Sequence, residues 1–243
     1  MYLILLYNSL MDISDLDIIY FVKDSAFNEE LRYSLRSVEQ NFPHNRVVFY
    51  GGKPAGLKPD LYFPVVQKGK TKWDKVRDML TLVCKNDKIT DDFVLFNDDF
   101  FVMSPIKSLE TFADDSLSDL VARIEVKNNY RSTVYTAQLL RAYEALKKAG
   151  FSTLNFELHK PMIINRRLML KTREEFPNIP ASRSLYGNLY CYLPMHVIDC
   201  KITDLETIPE DFVFVSTDDI SFAEGKVGEY IRRKFPKKSR FEC

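Results

Sequence analysis

Glycine is scarce here, with 8 residues in a chain of 243, which excludes collagen-like repeats and Gly-rich low-complexity sequence. Net charge is missing too. The 34 basic residues are matched by 34 acidic ones, whereas a protein that grips nucleic acid through its phosphates carries a basic excess. Nucleic acid therefore enters only as an acceptor. The four cysteines, Cys84, Cys191, Cys200 and Cys243, form no Cys-x-x-Cys pair. That removes the usual spacing of a structural zinc site and points to reduced thiols in a cytoplasm. Long apolar runs are absent as well, so no membrane span is expected. The opening run Met1 to Tyr7 lacks a basic flank and meets Asn8. It reads as an extra strand or packed arm rather than a signal peptide.

What is present is material for a core. Apolar residues make up 46% of the chain, with 18 Phe and 13 Tyr, an ordinary mix for a globular protein. Asp17 to Val22 reads as a buried strand ending in polar Lys23-Asp24-Ser25. Asn28 then caps a helix that carries Leu31, Leu35 and Val38 on one face. Arg46 to Tyr50 is a second strand and Leu61 to Val66 a third, short or at an edge. A second helix opens at Lys72-Trp73-Asp74, with Val76, Met79, Leu80 and Val83 at helical spacing, and Phe93 to Phe96 is a fourth strand. Alternation of this kind predicts an α/β fold, a Rossmann-type mostly parallel sheet with helices on both faces.

In the second half, helices are expected over Thr136–Lys148, Arg166–Glu175 and Gly228–Lys234, with a strand over Val213–Val215 and a frayed basic tail from Lys234 to Arg240. With no linker or repeat in evidence, residues 1–243 read as a single domain. Residues 1–105 form the donor and metal half, and residues 106–243 the acceptor half and tail.

Four places carry candidate chemistry. In Asn97-Asp98-Asp99 an apolar strand runs directly into two acids. Uncompensated carboxylates in so apolar a setting are costly, and a hard cation, Mg²⁺ or Mn²⁺, held by Asp98 and Asp99 relieves the cost while taking phosphate oxygens. The alternative is a turn capped by its own acids. His159, before the apolar run Met162-Ile163-Ile164, suits a general base or a structural turn, whereas His44 and His196 read as structural. Arg183, in Ser182-Arg183-Ser184, offers a planar fork for phosphate or is a loop arginine. Asp218, in Ser216-Thr217-Asp218-Asp219, repeats the strand-into-acids pattern. Asp24 lies at a strand end, where ligands of such sheets bind. Arg32 would reach donor phosphates, Arg36 would face solvent, and Trp73 would stack on a base or sugar or simply pack.

Three blocks, Asp17-Ile18-Ile19-Tyr20, Asn28 to Glu39 and Phe93 to Phe101, resemble the conserved blocks of the Stealth family of sugar-phosphate transferases. His159-Lys160-Pro161 is similar to that family's later His-x-Pro block. With Arg183 to Asn188, the string also looks like compact glycosyltransferases of bacteria and phages. The resemblance implies a GT-A-like fold, a metal at Asp98-Asp99, a nucleotide-sugar donor, and His159 and Arg183 near the transferred group; the donor expected first is a UDP-sugar. Asp24, Arg32, Trp73, Asn97 and Arg183 would contact the donor, and His159, Asp99 and Asp218 would serve catalysis. Phe21-Val22-Lys23-Asp24 stands where the family carries Trp-Val-Asp/Asn-Gly. Glycosyl transfer, hexose 1-phosphate transfer and a non-catalytic carbohydrate- or nucleotide-binding module all stay open. The acceptor is a polysaccharide, a virion protein or a modified DNA base.

Overall fold

The computed structural model describes residues 12–66 and 68–243, so the Met1 to Tyr7 arm lies outside the described residues. After a short 3-10 turn the elements are β1 (Asp17–Val22), α1 (Glu29–Asn41), β2 (Val47–Gly51), β3 (Leu61–Pro64), α2 (Lys72–Lys85), β4 (Asp92–Phe96) and β5 (Phe100–Val102). The second half adds β6 (Phe112–Ser116), α3 (Leu117–Lys127), α4 (Val134–Lys148), β7 (Leu154–Asn155), β8 (Met162–Asn165), α5 (Arg166–Glu175) and α6 (Ser182–Tyr190). It closes with β9 (Met195–His196), β10 (Lys201–Ile202), β11 (Phe214–Thr217), α7 (Asp219–Glu224) and α8 (Lys226–Lys234).

The main sheet has the order β3-β2-β1-β4-β8. Its first three pairings are parallel, and β8 joins β4 antiparallel, with Phe93 opposite Ile164. The inner strands are apolar on both faces, as buried parallel strands must be. Ile18, Tyr20 and Val22 of β1 join Val47, Phe49, Val94 and Phe96 under Leu31, Leu35 and Val38 of α1. Ile19, Val48, Tyr50, Phe93 and Leu95 face the other way, against Met79, Leu80 and Val83 of α2 and Met169 of α5. Helices therefore cover both faces. Two further three-stranded sheets, β10-β11-β5 and β7-β6-β9, each combine one parallel and one antiparallel pairing. The fold is thus mixed α/β, and the single mostly parallel sheet read from the sequence is corrected. Strands β7, β9 and β10 have two residues each, too few for a period to show.

The chain runs outward from β1 to β2 and β3, then returns to place β4 on the opposite side of β1. At such a reversal the carboxyl ends of the flanking strands leave a crevice. Beyond β4 the chain turns through Asn97–Phe100, where Phe100 N–H donates to Asn97 O at 3.2 Å. Then β5 leaves the main sheet and pairs antiparallel with β11, Phe100 opposite Ser216.

The edge of β5 away from β11 meets side chains of α1. Ser34 Oγ donates to Phe100 O at 2.5 Å, Val102 N–H donates to Ser37 Oγ at 3.0 Å, and Asn41 Nδ2 donates to Val102 O at 2.7 Å. Buried backbone groups require such partners, which explains three fully buried polar residues on the apolar face of α1. At the other end of the main sheet, buried Asp17 takes both forks of Arg46, at 2.9 and 2.6 Å.

The tail is not frayed. Phe241 is buried, and Glu242 accepts a two-pronged bond from Arg36 at 2.7 and 2.8 Å. Arg36, expected in solvent, is the anchor of the C-terminus. No helix among the described residues is long and apolar enough to cross a membrane.

Candidate functional site

A cavity of about 520 Å³ opens at the crevice, and Asn97, Asp98, Asp99, His159 and Asp218 all line it. Five residues separated by up to 121 positions thus share one wall set. Glu30, Lys72, Lys201, Thr217 and Asp219 complete its polar lining.

The turn after β4 makes Asp98 and Asp99 diverge. Asp98 reaches back to the start of α1, where Asn28 acts twice. Asn28 Oδ1 accepts from Leu31 N at 2.9 Å as the helix cap, and its Nδ2 donates to Asp98 Oδ2 at 2.7 Å. Asp99 reaches toward β10 and β11, taking Lys201 Nζ at 3.1 Å and Ser216 Oγ at 2.9 Å on one oxygen. Burial, reinforced by the charge of Asp99, pushes the Asp98 carboxyl above the usual carboxylate range against the bond from Asn28. Glu30, which accepts from Thr217 Oγ1 at 2.7 Å, is pushed up to about 7. Burial is the main cause there, and the charges of Asp99, Asp98 and Asp219 add to it. Asp218 caps α7, its Oδ1 accepting from Ser221 N at 2.8 Å.

Several carboxylates crowd one cavity, and a divalent cation bound there would relieve their mutual repulsion. The oxygen-only donor set is that of Mg²⁺ or Mn²⁺. Asp98 and Asp99 are turned apart, and no three ligand atoms of this cavity converge to within 4.8 Å among the described residues, so the two acids would hold such an ion together with water or phosphate oxygens of a ligand.

His159 is oriented by a residue that sequence reasoning missed. Its Nδ1 lies 2.6 Å from Asp199 Oδ2, and its backbone N–H donates to Asp199 Oδ1 at 2.8 Å. Burial opposes it, but these bonds hold the Asp199 carboxyl below its usual range. With Nδ1 carrying the proton toward Asp199, Nε2 is left as an acceptor. Lys201 and Glu30 were missed as well. Only their distance from Asp99 in space marks them, and no local pattern does.

The remaining expected site residues fall elsewhere. Arg183 is not on a loop. It sits in the first turn of α6, whose N-terminus is capped from outside by Glu157 Oε1 accepting from Ser184 N at 2.9 Å. Its Nη2 donates to Lys160 O, beside His159, and its buried Nε has no hydrogen-bond partner. Burial lowers the Arg183 pKa, opposed by the charges of Glu157 and Asp199. Trp73 stacks on Tyr135 of α4, 5.0 Å between centroids and 8° between planes, so a protein ring already covers one of its faces. Arg32 turns away from the acids and lies 4.8 Å over Phe27 and 3.7 Å from Glu242. The structure does not bring it to Asp98 or Asp99.

Asp24 is exposed and lines a second cavity of about 440 Å³ beyond the ends of β1, β2 and β3, with Lys23, Gly51, Gly52, Tyr62 and Lys75. Gly52 keeps this cavity's floor tight: a Cβ there would stand 2.6 Å from Lys23 O and 2.7 Å from the Asp24 Cα.

Among the described residues, one set of three metal-ligand atoms lies within 4.8 Å of one another: Asp114, Asp115 and His196. It was not anticipated as a group, and His196 had been read as structural. Compared with known proteins, the chain matches no family model and no curated relative.

Proposed function

We propose that the protein is a metal-dependent glycosyltransferase-type enzyme, moving a sugar from a nucleotide-sugar donor to an acceptor hydroxyl. One observation carries this reading. Asp98, Asp99 and His159, the last held by Asp199, line a single cavity at the reversal of an α/β sheet, where nucleotide-type ligands bind in such sheets. The resemblance to Stealth and GT-A-like transferases supplies the identity of the donor.

The nucleoside end of the donor fits the cavity beside Asp24, whose mouth offers Lys23, Lys75 and the Tyr62 ring. The diphosphate lies toward Asp98 and Asp99. Asp98 and Asp99 would hold a divalent ion there, which when bound would supply neutralising charge for the departing phosphates. Lys201, 3.1 Å from Asp99, and Lys72 on the cavity wall add fixed positive charge on the same side. His159 Nε2 accepts the proton of the acceptor hydroxyl, and Asp199 holds the ring in the tautomer that can do so. The oxygen so freed forms a bond to the anomeric carbon. The bond from that carbon to the phosphate oxygen breaks, and a nucleoside diphosphate leaves.

A second reading, sugar-phosphate transfer of the Stealth type, is favoured by the bond between Arg183 and Lys160 O, which sets a guanidinium beside the His159 segment. In that version the hydroxyl attacks the β-phosphorus and a nucleoside monophosphate leaves. A thermal-shift screen of UDP-, GDP-, CDP- and TDP-sugars tests the donor assignment. One nucleotide class should raise Tm in Mn²⁺ and lose the effect in EDTA and in Asp99→Ala. A flat response to all four, with and without Mn²⁺, would overturn it.

A further inference from the structure

Asp114 and Asp115 precede Ser116, the last residue of β6, and His196 ends β9. The two strands pair in parallel, with Ala113 opposite His196. In a regular strand Asp114 and Asp115 would point to opposite faces. The register between β6 and β7 slips between Asp114 and Ser116, and a bulge of this kind re-aims a side chain. Both carboxylates consequently meet one imidazole. His196 Nε2 lies 3.1 Å from Asp115 Oδ1 and 3.8 Å from Asp114 Oδ1. The other two oxygens are taken by a single guanidinium: Arg123 binds Asp114 Oδ2 and, at 2.9 Å, Asp115 Oδ2. Arg123 thus fixes both carboxylates from behind and leaves one oxygen of each turned toward Nε2.

We propose that Asp114, Asp115 and His196 form a binding site for a divalent transition metal of the Zn²⁺ type, separate from the Asp98–Asp99 cavity. The donor set is two carboxylate oxygens and one imidazole nitrogen, which suits Zn²⁺. The half-exposed Asp115 and exposed His196 side chains, 49% and 64% accessible, leave coordination positions for water. Arg123 acts as the outer partner that orients metal-binding carboxylates. Without metal, Nε2–H donates to Asp115 Oδ1; on binding, that proton leaves Nε2, a ring proton resides on Nδ1, and the Nε2 lone pair goes to the metal.

The site has a structural consequence. Strand β9 is two residues long and is tied to β6 by Met195 N–H to Thr111 O at 2.8 Å and Val197 N–H to Ala113 O at 3.0 Å. Three residues on, Asp199 holds His159. Two further, Lys201 holds Asp99. A metal at His196 pins the near end of the segment that delivers both contacts.

Calorimetric titration of Zn²⁺ into the full chain, stripped with chelator, tests the site without reference to activity. With the Asp98–Asp99 cavity kept occupied by excess Mg²⁺ throughout, one equivalent of Zn²⁺ should bind at micromolar Kd with a matching rise in Tm. His196→Ala should weaken binding at least about tenfold, and Asp115→Asn should weaken it in the same direction. Asp99→Ala should leave it intact. Co²⁺ in place of Zn²⁺ should give a visible absorption band that His196→Ala removes. Unchanged Zn²⁺ binding in His196→Ala, loss of binding in Asp99→Ala, or no saturable binding below millimolar Zn²⁺ would each overturn the proposal. His196 is exposed, so its truncation leaves the core untouched, and circular dichroism confirms the fold.

Discussion

Glu30 illustrates how a single carboxyl reports on its surroundings. Its folded-state pKa of about 7 lies above the ordinary value of 4.5, chiefly through burial. The native state therefore binds more protons than the unfolded one between those values. The stabilising contribution is full below about 4.5 and is lost as pH rises through about 7. Glu30→Gln removes the titration while keeping an oxygen to accept from Thr217. In EDTA, the variant should be more stable than wild type at pH 8, and the advantage should vanish near pH 4, as read by Tm across pH. An advantage that is the same at both pH values would mean that Glu30 titrates normally. The pair His159–Asp199 makes a second prediction at this scale. Asp199→Asn should lower transfer activity by roughly 10² or more, the size typical of general-base assistance. The 15N spectrum of His159 should show the Nδ1-protonated tautomer in the wild type and lose it in the variant.

At the scale of elements, α1 does more than cover the sheet. Its Ser34, Ser37 and Asn41 bond to the free edge of β5, and β5 begins where the Asp98–Asp99 turn ends. Ser34→Ala leaves Phe100 O and the Tyr20 hydroxyl, 2.9 Å from Ser34 Oγ, without that partner. A cost of about 1–3 kcal/mol is expected from buried groups left unpaired, measurable as a fall in urea midpoint at constant m. The tail is a second case. Phe241→Ala should cost about 3 kcal/mol, the usual loss for a buried Phe, whereas a frayed tail would give no change.

These two elements also mark where the sequence was legible. Strands β1, β2 and β4 showed as apolar runs because both their faces are buried, and helices α1 and α2 showed their period because each buries one face. The anchored tail was hidden because its charges looked solvated, although Arg36 and Glu242 lie 206 residues apart in sequence. Helix α6 was hidden because its cap comes from Glu157, on a distant segment, rather than from its own first residue.

At the scale of the whole molecule, the candidate site is built by topology. The return of the chain to the far side of β1 opens the crevice, the end of β11 and the start of α7 bring Thr217, Asp218 and Asp219 to the cavity, and β10 brings Lys201 to Asp99. The acids, the histidine and the second acidic step could each be picked out of the sequence by type. Their common cavity could not, because it depends on short strands and long-range pairings. Arg32 shows the converse: a residue of the right type, one helical turn from Asn28, is drawn off by Glu242.

The central claim is that this cavity breaks a bond in a nucleotide sugar. Its most direct test is identification of the nucleotide released when purified protein is incubated with a UDP-sugar, Mn²⁺ and an acceptor pool. Release of UDP that needs Mn²⁺ and falls at least about 10²-fold in Asp99→Ala is the predicted result. Release of UMP would assign the bond to the other side of the phosphate, and no nucleotide release from any donor that binds would contradict the account.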